Sequence, residues 1–439
     1  MTQQLDVPQP IRNLFGPAAG SWRERLDVVV ETMREISLQT DPQAMVRAYS
    51  SRIRQLRPTD GFLALSRRGL DWPKYRITRS SRWAEQINPW TEPHRLPLLE
   101  GGILGELIYG DEPRLIDDLE VAADDPAAEY LQGMRSLMAI PNYDQGVALN
   151  MTILLRTAPA AFDPEQFPEH VWIGNLFGRA THNLVLMEER RRAYEIIDRE
   201  LRIVADIQRS LLPKAMPQIP TLALAAHYQT SQWAGGDYYD FFPLPDGRWG
   251  LLIADVSGHG TPAAVMMAIT HSIAHSFPGP PDPPGRMLDF VNDRLAAHYT
   301  AENEAFVTAF YGIYDPSRRE LTYASAGHNP PRLKRCRDGS VASLDGASKL
   351  PLGLFPGQNY EQATQTLIPG DQIIFYTDGI TEALNPAGQM FGLERLDQVL
   401  ENCHLTADGL IQEVLDALER FTAGRPPDDD RTLLVAKLV

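Results

Sequence analysis

The chain has 439 residues and carries 41 lysines and arginines against 57 aspartates and glutamates, for a formal net charge of −16. This length exceeds that of one ordinary hydrophobic core and predicts two or three domains. The acidic balance argues against nonspecific binding to nucleic acid or anionic membranes, because both need clustered positive charge. A hydrophobic content of 43% with 22% charged residues is typical of a soluble globular protein.

Cysteine usage and the apolar runs bear on the compartment. Only Cys336 and Cys403 are present, and we infer that the chain has neither a disulfide framework nor a cysteine-based zinc site. The first twenty residues contain three prolines and no apolar core, so we expect no signal peptide. No apolar run approaches the roughly 20 residues of a membrane span. These observations predict a cytoplasmic protein that makes no membrane contact.

The first third of the chain combines helical and strand-like patterns. Apolar residues at three- and four-residue spacing, from Leu26 to Ile36, predict a helix over residues 22–57. Two alternating apolar runs, residues 136–140 and 147–155, flank an Asp-Gln-Gly turn. This arrangement predicts an antiparallel hairpin.

A further helix is predicted to close this region. Asp163 and Pro164 form an N-cap and a first-turn proline for a helix that starts near Glu165. Together these elements resemble a GAF domain, a sensing module of the α/β type, over residues 25–180. Residues 1–24 would then be an N-terminal extension. The resemblance implies that a small ligand or a protein signal binds this GAF-like domain.

Residues 181–214 predict a linker helix between two domains. Apolar residues recur at alternating steps of three and four: Met187, Tyr194, Ile197, Leu201, Val204 and Leu211. Arg190 and Gln208 interrupt this seam, and Pro213 ends the pattern. The spacing is typical of a coiled coil that joins two copies of the chain as a homodimer. A helix that packs on its own domain is the alternative.

Beyond Pro220 the sequence changes to short apolar runs separated by turns. Five runs predict strands: residues 222–228, 249–254, 309–314, 372–377 and 431–439. Two helical stretches, residues 261–277 and 286–299, are separated by a loop rich in proline and glycine. Strands with inserted helices predict an α+β sandwich.

Four aspartate motifs in this region share one design, an acidic residue at a strand end beside a turn-forming residue. They are Gly235–Asp240, Ala254–Gly260, Tyr376–Ala383 and Asp428–Thr432. A single Asp-Gly pair is usually only a turn, but four such sites in one domain predict a common role. Carboxylates gathered together repel each other unless cations neutralise them. Hard oxygen ligands of this kind suit Mg²⁺ or Mn²⁺ better than zinc.

In this order, the four motifs resemble those of the SpoIIE/RsbU-type members of the PPM family of serine/threonine phosphatases. Three further stretches carry the resemblance: Phe306–Phe310, Ala324–Pro331 and Leu350–Leu354. The resemblance implies an α+β chain whose residues 215–439 form a β-sandwich flanked by helices, behind a GAF-like sensor and a coiled-coil linker. It also implies hydrolysis of a phosphoserine or phosphothreonine by water that two Mn²⁺ or Mg²⁺ ions activate.

The metal ligands implied by the resemblance come from all four motifs. They are Asp237, Asp255, Asp378, Asp429 and the backbone carbonyl of Val256. Asp255 would bridge both ions, Asp378 and Asp429 would hold one, and Asp237 would hold the other together with the carbonyl. The choice of Asp429 within three consecutive aspartates rests on Thr432, because the family's ligand lies three residues before that threonine.

Four neighbours of these ligands are candidates for supporting roles. Asp240 either contacts water at the metals or orients its loop. His259 follows the bridging aspartate at a spacing that differs from more distant PPM relatives, which favours a structural role. His328 and Asn329 either support the site or form an ordinary Asn-Pro turn. No positively charged residue that would bind the substrate phosphate can be identified.

The resemblance further implies a phosphorylated STAS-type regulatory protein, an anti-sigma-factor antagonist, as the substrate in a partner-switching pathway. A catalytically degenerate signalling scaffold is one alternative, although all four acidic positions are filled. A diguanylate cyclase is another, because Gly235-Gly-Asp-Tyr-Tyr is superficially similar to its turn motif. Tyr238 stands where that enzyme class has an acidic residue, and the other three aspartate motifs would be unexplained.

Overall fold

The computed structural model describes residues 22–56, 59–300 and 305–439. Most of the predicted N-terminal extension, residues 1–21, lies outside the described residues. The chain divides into two compact units, one that ends at Tyr194 and one that spans Glu195–Val439. Within the described ranges, no helix combines the length and the apolar character needed to cross a lipid bilayer.

The first unit is built on one antiparallel sheet. Its helices are α1 (Trp22–Ser37), α2 (Pro42–Leu56), α3 (Gly102–Gly110), α4 (Ala128–Leu131) and the first part of α5 (Phe167–Leu211). Its strands are β1 (Gly61–Ser66), β2 (Lys74–Ser80), β3 (Leu98–Glu100), β4 (Arg114–Ile116), β5 (Ser136–Asp144) and β6 (Val147–Arg156). The strand order is β3-β2-β1-β6-β5-β4, and every pairing is antiparallel. One face of the sheet packs on α3 and α4, where Tyr75, Leu104 and Leu131 are buried together.

The prediction of one helix over residues 22–57 is wrong, because α1 ends at Ser37 and α2 begins at Pro42. Asp41 accepts a hydrogen bond of 2.7 Å from the backbone N–H of Ala44 and so caps α2. Pro42 has no N–H and is tolerated only in the first turn of a helix. The Asp-Pro pair therefore starts a new helix instead of continuing α1.

The predicted hairpin is confirmed by the pairing of β5 with β6. Gln145 and Gly146 form its two-residue turn with φ values of 51° and 86°, as a type I′ turn requires. The next helix start is also confirmed, since Asp163 accepts a hydrogen bond of 3.0 Å from the N–H of Glu165. A 3₁₀ turn over Pro164–Gln166 then leads into α5, which continues without a break to Leu211.

The second unit contains two sheets and five complete helices among the described residues. Its helices, after the end of α5, are α6 (Thr261–His275), α7 (Pro284–His298), α8 (Asp378–Thr381), α9 (Gly392–Val399) and α10 (Ala407–Thr422). Strands β14 (Ser348–Lys349), β11 (Glu320–Ala326), β10 (Val307–Asp315), β9 (Trp249–Val256) and β8 (Tyr238–Pro243) form the first sheet in this order, with β15 (Ala363–Thr366) beside β11. The second sheet has the order β13 (Val341–Ser343), β12 (Arg332–Lys334), β16 (Gln372–Tyr376), β17 (Arg431–Leu438) and β7 (Leu222–Gln229).

The two sheets pack face to face, and helices cover both outer faces. Along β17, Leu434 and Ala436 point into the core shared with the first sheet, whereas Leu433 and Val435 pack with α9 and α10. Both faces of β17 are therefore buried, which explains its continuous apolar sequence. Helices α6 and α7 lie on the first sheet. The α+β sandwich with paired inserted helices predicted from the sequence is confirmed.

The inference drawn from the two cysteines needs correction. Cys336, which follows β12, and Cys403, which precedes α10, form a disulfide with their Cα atoms 5.8 Å apart. They are separated by 67 residues in sequence, so local spacing gives no sign of the pairing. The bond ties the end of the second sheet to the loop before α10.

We expect Leu434→Ala to lower the free energy of unfolding of the second unit by about 2–5 kcal/mol, because it opens a cavity between the sheets. Leu434 is fully buried, whereas Leu393 on α9 is 44% exposed. Leu393→Ala is the matched control and should change stability by less than about 0.5 kcal/mol. Hydrogen exchange of the β16 and β17 amides in the full chain measures both. Equal protection in the two variants would contradict the packing described.

Candidate metal centre

The aspartates of the four motifs lie at one edge of the sandwich because of how the strands are connected. Asp237 precedes β8 and Asp255 lies near the end of β9, and these two strands are antiparallel neighbours. Asp378 follows β16, and Asp429 and Asp430 precede β17, which is antiparallel to β16. In each pair the end of one strand lies beside the start of the other. The two sheets thus bring their acidic strand ends together.

Electrostatic coupling shows that these carboxyl groups are close to one another. Burial raises the pKa of Asp255, and the charges of Asp237, Asp378, Asp429 and Asp430 raise it further. Burial also raises the pKa of Asp237. The pKa of Asp378 is raised to about 6, first by burial and then by Asp429. All of these shifts oppose ionisation, so the site favours an added positive charge.

Asp237 is held across the sandwich by two threonines. Its Oδ2 atom accepts hydrogen bonds from Thr377 Oγ1 at 2.7 Å and from Thr432 Oγ1 at 2.6 Å. The backbone N–H of Thr432 in turn donates to Thr377 Oγ1 at 3.0 Å. Both threonines belong to the second sheet, whereas Asp237 leads into the first. In the sequence, Thr432 indicates only which of three consecutive aspartates is the ligand, and Thr377 has no predicted role. Each threonine nevertheless lies in an aspartate motif.

The three consecutive aspartates have different environments. Asp430 is buried, and its carboxylate accepts from the backbone N–H groups of Ser231 at 2.8 Å and Gly236 at 2.6 Å. Asp428 is exposed and pairs with Arg425 at 3.2 Å. Asp429 is also exposed, and its charge acts on Asp255. This arrangement leaves Asp429 available for a ligand while Asp430 braces the loop.

Glycines let the backbone approach closely at this edge. A Cβ atom on Gly235 would lie 2.0 Å from Asp430 Oδ2, and one on Gly379 would lie 1.9 Å from the Asp430 carbonyl oxygen. A Cβ atom on Gly236 would lie 2.9 Å from the carbonyl oxygen of Val256. The carbonyl expected to bind a metal therefore lies against the segment that carries Asp237. Side chains at these glycines would push the acidic strand ends apart.

Gln208 at the end of α5 also reaches this loop. Its side chain is buried, and its Oε1 atom accepts a 3.0 Å hydrogen bond from the N–H of Gly235. Its Nε2 atom donates to the carbonyl of the same glycine. Sequence reasoning treated Gln208 as an interruption of an apolar seam. No local signal in the sequence would have identified its partner.

Two of the histidine candidates occupy very different surroundings. His328 is buried, and its Nδ1 atom lies 2.9 Å from Thr308 Oγ1. Thr308 is paired with Asp255 across β10 and β9, so His328 supports the strand that carries this aspartate. Burial lowers the pKa of His328 to about 3, which keeps the ring neutral. His259 is exposed, and its Nδ1 atom contacts Gln232 Nε2 at 3.1 Å.

Asp240, for which the sequence left open a contact with water at the metals or a role in orienting its loop, lies in a hydrogen-bond network of its own. Its carboxylate is bound by the hydroxyl of Tyr238 at 2.6 Å, the N–H of Phe241 at 2.7 Å and Nε2 of His275 at 2.7 Å. None of these partners belongs to the acidic edge, and Asp240 is absent from the charges that act on Asp255. Asn329 is half-buried next to His328.

The donors at this edge fit hard divalent cations. Carboxylates and a backbone carbonyl are the ligands that Mg²⁺ and Mn²⁺ prefer. The pKa values of Asp237, Asp255 and Asp378 are raised by burial and by neighbouring carboxylates, and cations relieve such repulsion. Asp237, Asp255, Asp378, Asp429 and the Val256 carbonyl are the groups that would hold them.

In excess Mg²⁺, we expect Asp430→Asn to lower mainly the stability of the fold and Asp429→Asn to weaken mainly the binding of Mn²⁺. Asparagine at 430 cannot accept from both backbone N–H groups, so the free energy of unfolding should fall by about 1–3 kcal/mol. Asparagine at 429 should weaken Mn²⁺ binding with little change in stability. Thermal unfolding and Mn²⁺ titration measure these effects, and Asp428→Asn is the control for both. Stronger loss of Mn²⁺ affinity in Asp430→Asn than in Asp429→Asn would contradict the assignment.

Known proteins share this organisation. Residues 245–439 match the family described as Stage II sporulation protein E (SpoIIE). The chain is 30% identical over 241 residues to phosphoserine phosphatase RsbU of Bacillus subtilis (strain 168), covering 55% of this chain and 70% of that protein. It is 25% identical over 186 residues to phosphoserine phosphatase RsbP of the same organism, covering 42% of this chain and 45% of that protein.

A solved structure, the SiaA-PP2C domain of Pseudomonas aeruginosa, aligns with a TM-score of 0.49 and 22% identity. The alignment covers 56% of this chain and 98% of that domain. The match to RsbU extends over more than two thirds of the length of that protein. The chain belongs to the SpoIIE/RsbU-type PPM family of protein serine/threonine phosphatases.

Proposed function

We propose that the second unit hydrolyses a phosphoserine or phosphothreonine on a regulatory protein, with Mn²⁺ or Mg²⁺ held by the acidic edge. The observation that carries this proposal is the meeting of acidic strand ends from both sheets at one edge of the sandwich, where burial and four neighbouring aspartates raise the pKa of Asp255. Such a cluster has no structural benefit without cations. RsbU and RsbP, to which the chain is similar, are both phosphoserine phosphatases by name.

The chain's own groups would position the cations. Two such ions would be held by Asp237, Asp255, Asp378, Asp429 and the Val256 carbonyl. When bound, such cations lower the pKa of water and neutralise charge on the phosphoryl oxygens. Thr377 and Thr432 hold Asp237 in one orientation, so its carboxylate is preorganised for binding.

No protein nucleophile is needed for this reaction. The two cysteines are bonded to each other, so neither offers a thiolate. His328 is neutral and engaged with Thr308, so it positions the strand and does not transfer a proton to the substrate. The chain's residues therefore act by binding and orienting the cations and the substrate. The proposed reaction is direct attack of water on phosphorus.

The proposed substrate is a phosphorylated STAS-type protein, an anti-sigma-factor antagonist in a cytoplasmic partner-switching pathway. The support is the family relationship, together with the position of the proposed site. The site lies at an edge built from strand ends, so the substrate phosphate does not have to enter a deep pocket. Exposure of Asp429 at this edge leaves room for a protein-borne phosphate to approach. A catalytically degenerate scaffold is the alternative, and it predicts no phosphate release under any metal condition.

The first unit is proposed to be a GAF-like sensor. It encloses a cavity of about 380 Å³ beside the sheet, within the size range of small-ligand sites. Phe62, Arg79, Trp90 and Phe177 are among the residues that line it. Burial lowers the pKa of Arg79 to about 10, so its charge is partly desolvated beside this cavity. A ligand or a protein signal at this position would act on the elements that pack around it.

Control by the sensor is proposed to run through α5, which would pair with a second copy of the chain as a coiled coil. Met187, Tyr194 and Ile197 from the predicted seam are 68%, 56% and 54% exposed, as an unoccupied dimer face would be. Gln208 then connects the end of this helix to Gly235, two residues before Asp237. A change in helix packing would therefore alter the loop that positions a metal ligand.

We expect Asp255→Asn and Asp378→Asn each to reduce phosphate release by about 100-fold or more, because each removes a charge that holds the cations. Asp408, exposed in the first turn of α10, offers the control Asp408→Asn, which should retain activity. The measurement is Mn²⁺-dependent phosphate release from phosphorylated STAS proteins. Near-normal Mn²⁺-dependent activity in either variant would refute the metal assignment. An inactive wild-type chain that binds Mn²⁺ would support the scaffold instead.

We expect one residue inserted after Asp198 to change basal activity or its regulation, because it rotates the following part of α5 by about 100°. Seven inserted residues restore the phase to within about 20° and should be better tolerated. Phosphate release and analytical ultracentrifugation of both full-length variants test the proposal. A monomeric wild-type chain at micromolar concentration, together with equal activity in the two insertions, would exclude control through a dimeric helix.

A further inference from the structure

Three metal-ligating side chains meet on the outer side of the first sheet. Asp240 comes from β8, and His271 and His275 come from α6, where four-residue spacing places both rings on one face of the helix. One donor atom from each residue lies within 4.8 Å of the other two. The closest pair is Asp240 Oδ2 and His275 Nε2, at 2.7 Å.

This group is separate from the acidic edge. Asp240 and Tyr238 are hydrogen-bonded to each other and therefore share one face of β8, the face covered by α6. Asp237 instead binds Thr377 and Thr432 of the second sheet. Side chains alternate between the two faces of a strand, so the segment presents its acidic groups to two different environments.

A simple His–Asp ion pair accounts for only part of this geometry. It explains the contact between His275 and Asp240 but leaves His271 unexplained. Nδ1 of His271 is buried and has no hydrogen-bond partner among the described residues, and an unsatisfied buried polar atom is unfavourable. The two imidazole rings are also close, with centroids 4.3 Å apart.

His271 favours the neutral form of its ring, the form that can bind a metal ion. Its pKa is lowered, first by burial and then by the neighbouring His275, while Asp240 opposes the shift. A neutral imidazole has a lone pair available for a metal ion. The ring of Tyr238 packs edge-on against His271 at 5.5 Å between centroids, and the Tyr238 hydroxyl orients Asp240. One tyrosine thus positions two of the three donors, as residues behind metal ligands commonly do.

We propose that Asp240, His271 and His275 bind a transition-metal ion of the Zn²⁺ class, at a site independent of the aspartate centre. Two imidazoles and one carboxylate suit Zn²⁺ rather than Mg²⁺ or Ca²⁺, which prefer all-oxygen sites. His275 is 45% exposed in its side chain, so the ion can enter from solvent and water can complete its coordination. Binding would replace the hydrogen bond between His275 and Asp240.

Such an ion would link α6 to β8, because its ligands come from both elements. Ala264 near the start of α6 packs with Ala205 of α5 and with Ala234, next to the glycine that Gln208 binds. The proposed site therefore lies on the helix that contacts both α5 and the loop before Asp237. Occupancy would stabilise this helix on the sheet, since a ligand that binds only the folded state raises the apparent stability.

The test is Zn²⁺ titration of the full chain by calorimetry in excess Mg²⁺, with three variants. Asp255→Asn disables the aspartate centre, His275→Gln removes the accessible donor of the proposed site, and His298→Gln changes an exposed histidine at the end of α7. Thermal unfolding without zinc checks that each variant is folded. The His275 side chain is 45% exposed, so its replacement should leave the fold intact.

We expect one Zn²⁺ per chain to bind the wild type, Asp255→Asn and His298→Gln with similar affinity. In His275→Gln the affinity should fall by at least about 10-fold, and zinc should no longer raise the melting temperature. His271→Gln provides a second variant with the same expectation. Retention of zinc binding in both histidine variants, or its loss in Asp255→Asn alone, would assign the zinc to the aspartate centre and overturn the proposal.

Discussion

Carboxylates from two sheets meet at one edge of the sandwich, where burial and mutual repulsion both oppose their ionisation. A cluster of this kind tends to separate unless rigid elements hold it or cations neutralise it. Rigidity comes from β9, β10, β16 and β17, whose side chains are almost all buried. The strands that carry Asp255 and Asp378 are therefore anchored by packing before any ion is bound. The helices on both outer faces complete this anchoring, because each sheet is buried on its two sides.

Uncharged groups and glycines do the remaining positioning. Thr377 and Thr432 bind one oxygen of Asp237 from the opposite sheet, and His328 supports the strand of Asp255 through Thr308. These partners stabilise the ligands without adding net charge to an already acidic site. Asp430 is the exception, since it is itself a carboxylate, and backbone N–H groups stabilise its charge. The close approach of this carboxylate is possible only because Gly235 has no side chain, and Gly379 allows the same for the backbone carbonyl of Asp430.

The segment around β8 connects these features with the rest of the unit. On one side Asp237 belongs to the acidic edge, and on the other Asp240 belongs to the histidine pair of α6. The loop before β8 is bound by Gln208 from α5. A displacement of α5 or α6 would therefore reach the segment of Asp237 over a short path of hydrogen bonds and packed alanines. This arrangement gives a physical basis for regulating the centre from outside it, through a change in geometry and not in charge.

The sequence alone determined the features whose signals are local. Each of these features is encoded within a few residues, so its prediction does not depend on a distant part of the chain. They are the glycine-flanked aspartates at strand ends, the Asp-Gln-Gly hairpin, the Asp163-Pro164 helix start and the alternating strands. Local spacing was misleading at Asp41-Pro42, where a cap divided an apparently continuous helix. Only the tertiary structure decided which distant residues meet: Cys336 with Cys403, Gln208 with Gly235, Asp430 with Ser231, and Asp240 with His275. Each of these contacts joins segments separated by 27 to 199 residues. They depend on strand order and sheet packing, because no local sequence pattern encodes the distance between two side chains that are far apart in the chain.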